Sequence, residues 1–197
     1  MARIKGVSES DAHSDEVRQI IAEQKKRHGF ISNAAQVSAV RPTIQRGVQA
    51  LAQGIQESGL IAQELRNLVC VRTAHINGCP YCIDSNASGA MQNGAAAEKV
   101  EAALGDYKKN PLFTVRERLA LELAERMTYT GKRVSDKFFN RLRKQFTDEE
   151  LVELAAVIAL ENFRSKFNPV FGIEANNFCP LPGIKEAAAA ATRRFHE

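Results

Sequence analysis

The chain has 197 residues, 44% of them hydrophobic and 25% charged, and 27 Lys and Arg against 23 Asp and Glu leave a net charge of +4. That length suits one domain with a full core, and the composition excludes a disordered or collagen-like chain. So small a positive excess does not argue for nucleic acid, and four cysteines do not make a disulfide-stapled secreted scaffold.

The apolar spacing is helical throughout, with Gly and Pro between segments and no sustained strand-like alternation. A first helix is predicted from Asp15 to His28, closed by Gly29, with Val17, Ile20, Ile21 and Gln24 on one face. Asn33 caps a short helix that ends before Pro42, and another runs from Thr43 to Gln56, stopped by Ser58-Gly59. From Leu60 to Ile76, the residues Ile61, Leu65, Leu68 and Val69 form one apolar stripe. Asn77-Gly78 then breaks the chain, and a helix opens at Cys79-Pro80-Tyr81-Cys82 and runs toward Gln92.

A short helix from Ala95 to Leu104 precedes a polar loop, Gly105 to Pro111. Thr114 with Glu117 and Thr147 with Glu150 form two capping boxes. Between them, Ser135 to Phe146 is amphipathic through Phe139, Leu142 and Phe146. Leu151 to Phe163 is apolar almost all round, which predicts a central buried helix, and an Ala-rich helix over 184–195 closes the chain behind Pro180 and Pro182.

No linker or internal repeat divides the sequence, so the expectation is an all-α single domain over 1–197 with about eight helices. The longest apolar run, Leu154 to Leu160, is far short of the roughly 20 residues that span a bilayer, and the N-terminus lacks the apolar stretch of a secretory signal. A soluble cytoplasmic protein that engages neither membrane nor nucleic acid is expected. The basic stripe Arg133, Lys137, Arg141 and Lys144 reads as a solvated helix face.

One motif carries chemistry. At a helix start, Cys79 and Cys82 lie three residues apart on one face, where unpaired N–H groups and the positive end of the helix dipole stabilise a thiolate. Such a pair is a redox dithiol, half of a zinc site, or two small buried hydrophobes. Zinc takes four ligands, and Cys70, His75 and Cys179 supply no second pair at the usual spacing, so no metal or cofactor is expected. Buried free cysteines are common, and Cys70 and Cys179 read as packing residues. Thioredoxin places its CxxC on a βαβ scaffold, for which this chain has no strands. Tyr81 either lines a pocket or covers the turn.

The segment from Leu65 to Asn86, LRNLVCVRTAHINGCPYCIDSN, resembles the core of the carboxymuconolactone decarboxylase-like superfamily in its alkylhydroperoxidase (AhpD-like) branch, whose signature is Asn-Gly-Cys-x-Tyr-Cys after an amphipathic helix. The stretches Thr114–Leu121 and Thr147–Leu154, then Asn162-Phe163, Phe167-Asn168 and Gly172-Ile173-Glu174, resemble its later helices, and the resemblance covers about residues 40–179. It implies an all-helical AhpD-like bundle assembling as a homotrimer or homohexamer. It also implies reduction of hydroperoxides by Cys79 and Cys82, recharged by an external lipoyl or thioredoxin-like dithiol. Cys82 is then the attacking thiol and Cys79 the more exposed, resolving one, whereas the helix-terminus argument alone favours Cys79 as the more acidic.

The family's proton relay has a Glu twelve residues before the first Cys and a His four after the second; those positions here are Asn67 and Asn86. Neither amide exchanges a proton near neutral pH, so the expectation is a thiol pKa near 8.5 and a peroxide reaction that climbs through about pH 8 to 9. Counting outward from Gly78 along a helical hairpin sets Cys82 opposite residue 74 or 75 and Asn86 opposite Cys70. His75 is then the nearest titratable group, as general base or thiolate-stabilising cation, or else a satisfied core histidine. Glu64, one turn before Asn67, is the other candidate carboxylate. Two further functions fit the same chain: an oligomeric redox adaptor or sensor without peroxide turnover, and a lactone-decarboxylase-like enzyme, whose relatives work without the cysteine pair.

Overall fold

The computed structural model describes residues 2–11 and 14–196. Among them are ten α-helices and no strand: α1 Asp15–His28, α2 Asn33–Ser38, α3 Pro42–Ser58, α4 Gln63–Asn77, α5 Pro80–Gln92, α6 Ala97–Ala102, α7 Val115–Thr128, α8 Asp136–Leu142, α9 Asp148–Val170 and α10 Pro182–Arg193. The short helices α2, α6 and α8, of six or seven residues each, fall within segments already read as short helices or an amphipathic stretch, and counting each of them separately takes the total from about eight to ten. Segments so short are held in place by tertiary packing.

Both capping boxes form, at Thr114 with Glu117 and at Thr147 with Glu150. The cap of α2 is Ser32, not Asn33; Asn33 instead donates its side-chain amide to the Glu174 carbonyl at 3.1 Å and its backbone N–H to Asn176 Oδ1 at 3.0 Å. A serine hydroxyl caps as well as an asparagine amide, so the competition goes to the residue with a second partner across the fold.

The main core gathers α4, α5, α7 and α9, with Leu68 and Val69, Ile83 and Ala87, Leu121 and Ala124, and Leu154 and Ile158 all fully buried. A smaller cluster of Val7, Val17, Ile20, Ile21 and Ala39 holds α1 against the N-terminal stretch. On α8 the buried aromatic is Phe138, in step with Leu142 and Phe146 beyond the helix, while Phe139 faces solvent. The spacing i, i+4, i+8 thus replaces the expected i, i+3, i+7. The long helix α9 is not covered all round either: Val152 is 72% exposed and Phe163 is also open.

A buried carboxylate starts α4. Glu153, from α9, accepts Ser58 Oγ at 2.5 Å and the backbone N–H groups of Leu60 at 2.8 Å and Ile61 at 3.0 Å, with Arg66 Nε at 3.8 Å. Burial pushes its pKa up, but these donors together hold it below the usual carboxylate value. The arrangement fixes α4, and with it the turn that carries the cysteines, against α9.

Candidate active site

The α4–α5 turn is built by glycine. Gly78 adopts φ 66°, where a Cβ is disfavoured, and donates its N–H to the His75 carbonyl at 3.2 Å while Cys79 N–H reaches the Ala74 carbonyl at 3.0 Å. Pro80 then opens α5, a position that needs no N–H. Cys79 is the N-cap: its Sγ accepts the backbone N–H of Cys82 at 3.2 Å, the task a serine or aspartate oxygen usually performs. The two Cα atoms are 5.3 Å apart and the sulfurs form a disulfide.

Both cysteines are buried, with Cys79 fully so. The expectation of a more exposed Cys79 is therefore corrected: as N-cap it is folded under the first turn of α5. Cys82 lines a cleft of about 810 Å³, and Cys79 does not. From α9, Asn168 Nδ2 approaches Cys82 Sγ at 3.3 Å and Cys79 Sγ at 3.8 Å, a neutral donor facing both sulfurs. Asn77, the last residue of α4, donates to Asn162 Oδ1 at 3.0 Å and Ser165 Oγ at 2.8 Å, which pins the turn to α9 one helical turn before Asn168.

Asn67 and Asn86 both line the cleft, and His75 and Glu64 do not. His75 is half-buried in the last turn of α4; burial, then Arg72 and Arg194, hold its pKa below the ordinary 6.5, so the ring is neutral at pH 7. Glu64 pairs with Lys99 at 3.0 Å, and the same ammonium binds Glu117 at 2.6 Å. Tyr81 lines the cleft and meets Phe178 edge to face at 6.3 Å. Cys70 is buried in the core, and Cys179 is fully buried with its N–H on Asp84 Oδ1 at 2.8 Å. Asp84 also accepts Asn176 and Phe178 N–H at 3.1 and 3.0 Å, so α5 itself holds the segment that brings Phe178 to the cleft.

Two site residues were not singled out by the sequence reading. One is Asn168. The other is Glu161, also on α9, only 2% exposed, lining the cleft and with no partner for its Oε1 among the described residues. Burial raises its pKa to about 8, although Arg164 and the Asn86 amide pull the other way. The signal was present as polar residues 161, 164, 165 and 168 interrupting one face of an otherwise apolar helix. Among the described residues no three His, Cys, Asp or Glu side chains gather where a metal ion could sit, and no helix is long and apolar enough to cross a membrane.

Residues 42–125 match the carboxymuconolactone decarboxylase family. The uncharacterized protein YnjA of Escherichia coli K12 is 35% identical over 118 residues, 60% of this chain and 64% of YnjA, so the chain spans just under two thirds of that relative's length. The crystal structure of an alkylhydroperoxidase AhpD core, an uncharacterized peroxidase-related protein from Ralstonia eutropha JMP134, superposes with a TM-score of 0.80 at 25% identity over 89% of this chain and 93% of that one. The debrominase Bmp8 superposes with a TM-score of 0.75 at 20% identity over 96% of both chains, a likeness of fold alone. Residues 42–125 are thus carboxymuconolactone decarboxylase-like in sequence, and the described residues share the AhpD-like helical fold with a CxxC at the start of α5.

Proposed function

We propose that the protein reduces hydroperoxides through a dithiol–disulfide cycle of Cys79 and Cys82. The observation that carries this reading is the placement of Cys82. It lies in the first turn of α5, alone of the two cysteines on the cleft, with the Asn168 amide on its sulfur. The Cys82 thiolate attacks the terminal peroxide oxygen; an S–O bond forms, the O–O bond breaks and an alcohol leaves with one proton. The Cys79 thiol then attacks the sulfenic sulfur, releasing water and closing the disulfide. A lipoyl or thioredoxin-like dithiol, a cytoplasmic reductant, reopens it by two thiol exchanges and ends as a disulfide itself.

Reduced protein given one equivalent of tert-butyl hydroperoxide should lose two thiols when counted after denaturation, and the Cys82→Ser variant should form no intramolecular disulfide. With excess dihydrolipoamide, peroxide consumption should continue over many cycles. Four persisting thiols would rule out the redox cycle; a single oxidation that no dithiol reverses would favour a sensor or adaptor instead.

The active form is a homo-oligomer, a trimer or a hexamer. Helix α3 is amphipathic, yet Ile44 and Leu51 on its apolar side are exposed, and Leu60 and Val152 lie open across a shallow groove that Leu51 and Ile55 share. A second copy of this chain would cover that face. Light scattering should give a multiple of 21.7 kDa; a monomer at micromolar concentration contradicts it.

A further inference from the structure

We propose that Glu161 is the proton donor of this site, acting from α9 on the leaving oxygen of the hydroperoxide. The inference rests on the dithiol reading of Cys79 and Cys82. Residues 161, 164 and 168 share one face of α9, and Asn168 on that face touches the Cys82 sulfur at 3.3 Å. On α5, Asn86 follows Cys82 by one turn and sets its amide beside Glu161. Cys82 with Asn168, and Asn86 with Glu161, thus form two successive levels of the same cleft. A hydroperoxide with its terminal oxygen at Cys82 directs its second oxygen toward the Glu161 level.

Of the other titratable side chains on the cleft, Tyr81 holds its proton more tightly than an ordinary phenol because it is buried, with its hydroxyl on Ser32. Glu161 is the one carboxyl among the described lining residues. Arg27, Arg41 and Arg164 do not release protons. His28 sits against Phe30 and Phe178, with ring centroids 6.2 and 5.3 Å away, and burial keeps it neutral. Around Glu161 stand Arg164 on its own helix, the Asn86 amide from α5 and the buried Cys70 thiol from α4. Because the carboxyl keeps its proton to about pH 8, it is a donor at neutral pH, where an ordinary glutamate would be a bare anion.

The step balances. The thiolate electron pair forms the S–O bond, the O–O pair goes to the departing alkoxide, and the Glu161 proton neutralises it to the alcohol. The sulfur is oxidised by two electrons and the peroxide reduced by two; the carboxylate regains a proton from water. The substrates that need this donor are alkyl hydroperoxides, whose leaving alkoxides are strongly basic. A peracid, whose leaving group is a carboxylate, does not need it.

The test is the rate of Cys79–Cys82 oxidation in reduced protein by tert-butyl hydroperoxide and by perbenzoic acid, from pH 5 to about pH 10, in wild type, Glu161→Gln and Glu161→Asp. The wild-type rate with the alkyl hydroperoxide should rise as the thiol ionises and fall above about pH 8, replacing the simple climb that the two asparagines alone imply. Glu161→Gln should slow the alkyl hydroperoxide about 100-fold at pH 7 and erase the falling limb, while perbenzoic acid changes by less than about threefold; Glu161→Asp should restore part of the rate. Equal slowing with both oxidants assigns Glu161 a structural role and overturns the proposal, as does an unchanged rate with both. If the wild-type pair is oxidised by neither reagent, the dithiol reading itself falls, and Glu161 with it.

Discussion

Glu125→Ala should lower the unfolding free energy by about 3–5 kcal/mol at pH 7, the cost of leaving a buried partner charge uncompensated. Glu125 lies on α7, 3% exposed, with Arg72 Nη2 of α4 at 2.8 Å, Lys132 at 3.2 Å and Lys108 at 3.3 Å. Burial alone would raise its pKa, but the Tyr107 hydroxyl, Arg72 and Lys132 hold it at about 2. Removing the carboxylate strands Arg72 in the core. Because the folded pKa is below the ordinary 4.5, the stabilisation is complete above that pH and fades as pH falls toward 2, by up to about 3 kcal/mol. Glu161 has the opposite sign: its pKa of about 8 lies above the ordinary 4.5, so it costs nothing below pH 4.5 and destabilises increasingly up to about pH 8. Urea unfolding at acidic, neutral and mildly alkaline pH reads both effects. A Glu125→Ala variant within about 1 kcal/mol of wild type at pH 7 would show the cluster to be replaceable.

Asn168→Ala should raise the Cys82 pKa by about one to two units and slow its oxidation at pH 7 by about 10- to 100-fold, since a hydrogen bond to a charged sulfur is worth about 1.5–3 kcal/mol. In the wild type, two features favour the anion: the positive end of the α5 dipole and the Asn168 amide. The alanine variant keeps the first and loses the second. The pH dependence of alkylation of reduced protein by iodoacetamide measures the shift, and an unchanged profile would leave the helix terminus alone responsible. Asn168→Asp should exceed the alanine effect when ionised, because it replaces a donor with a like charge.

The turn and the thiol pair were legible because they are local: Asn77, Gly78, Cys79 and Pro80 each have one conformational use in that order, and the hairpin follows. The rest of the site was not, because it comes from α9, about 80 residues later. There Leu151 to Phe163 reads as an apolar helix, and its apolar pattern does not carry it past Phe163. The helix in fact continues to Val170, since Arg164 extends along the cleft and Lys166 into solvent. That extension brings Asn168 to the sulfurs. Counting outward from Gly78 sets Asn86 opposite Cys70, and Glu161 neighbours each of them. Glu64, by contrast, was claimed by Lys99, a pairing across 35 residues that no periodicity reveals.

The two hydrogen bonds from Asn77 to Asn162 and Ser165 give α9 the character of a ruler with its zero mark at the cysteine turn. Asn168 sits about one turn beyond Ser165, at the sulfurs, and Glu161 one residue before Asn162, so neither group's position is set independently. Sliding or rotating α9 by even a fraction of a turn misaligns the amide and the carboxyl together. Thiol reactivity in this fold is therefore a readout of helix registry, and substitutions in the α4–α9 seam, remote from any peroxide, report themselves first as altered chemistry at Cys82.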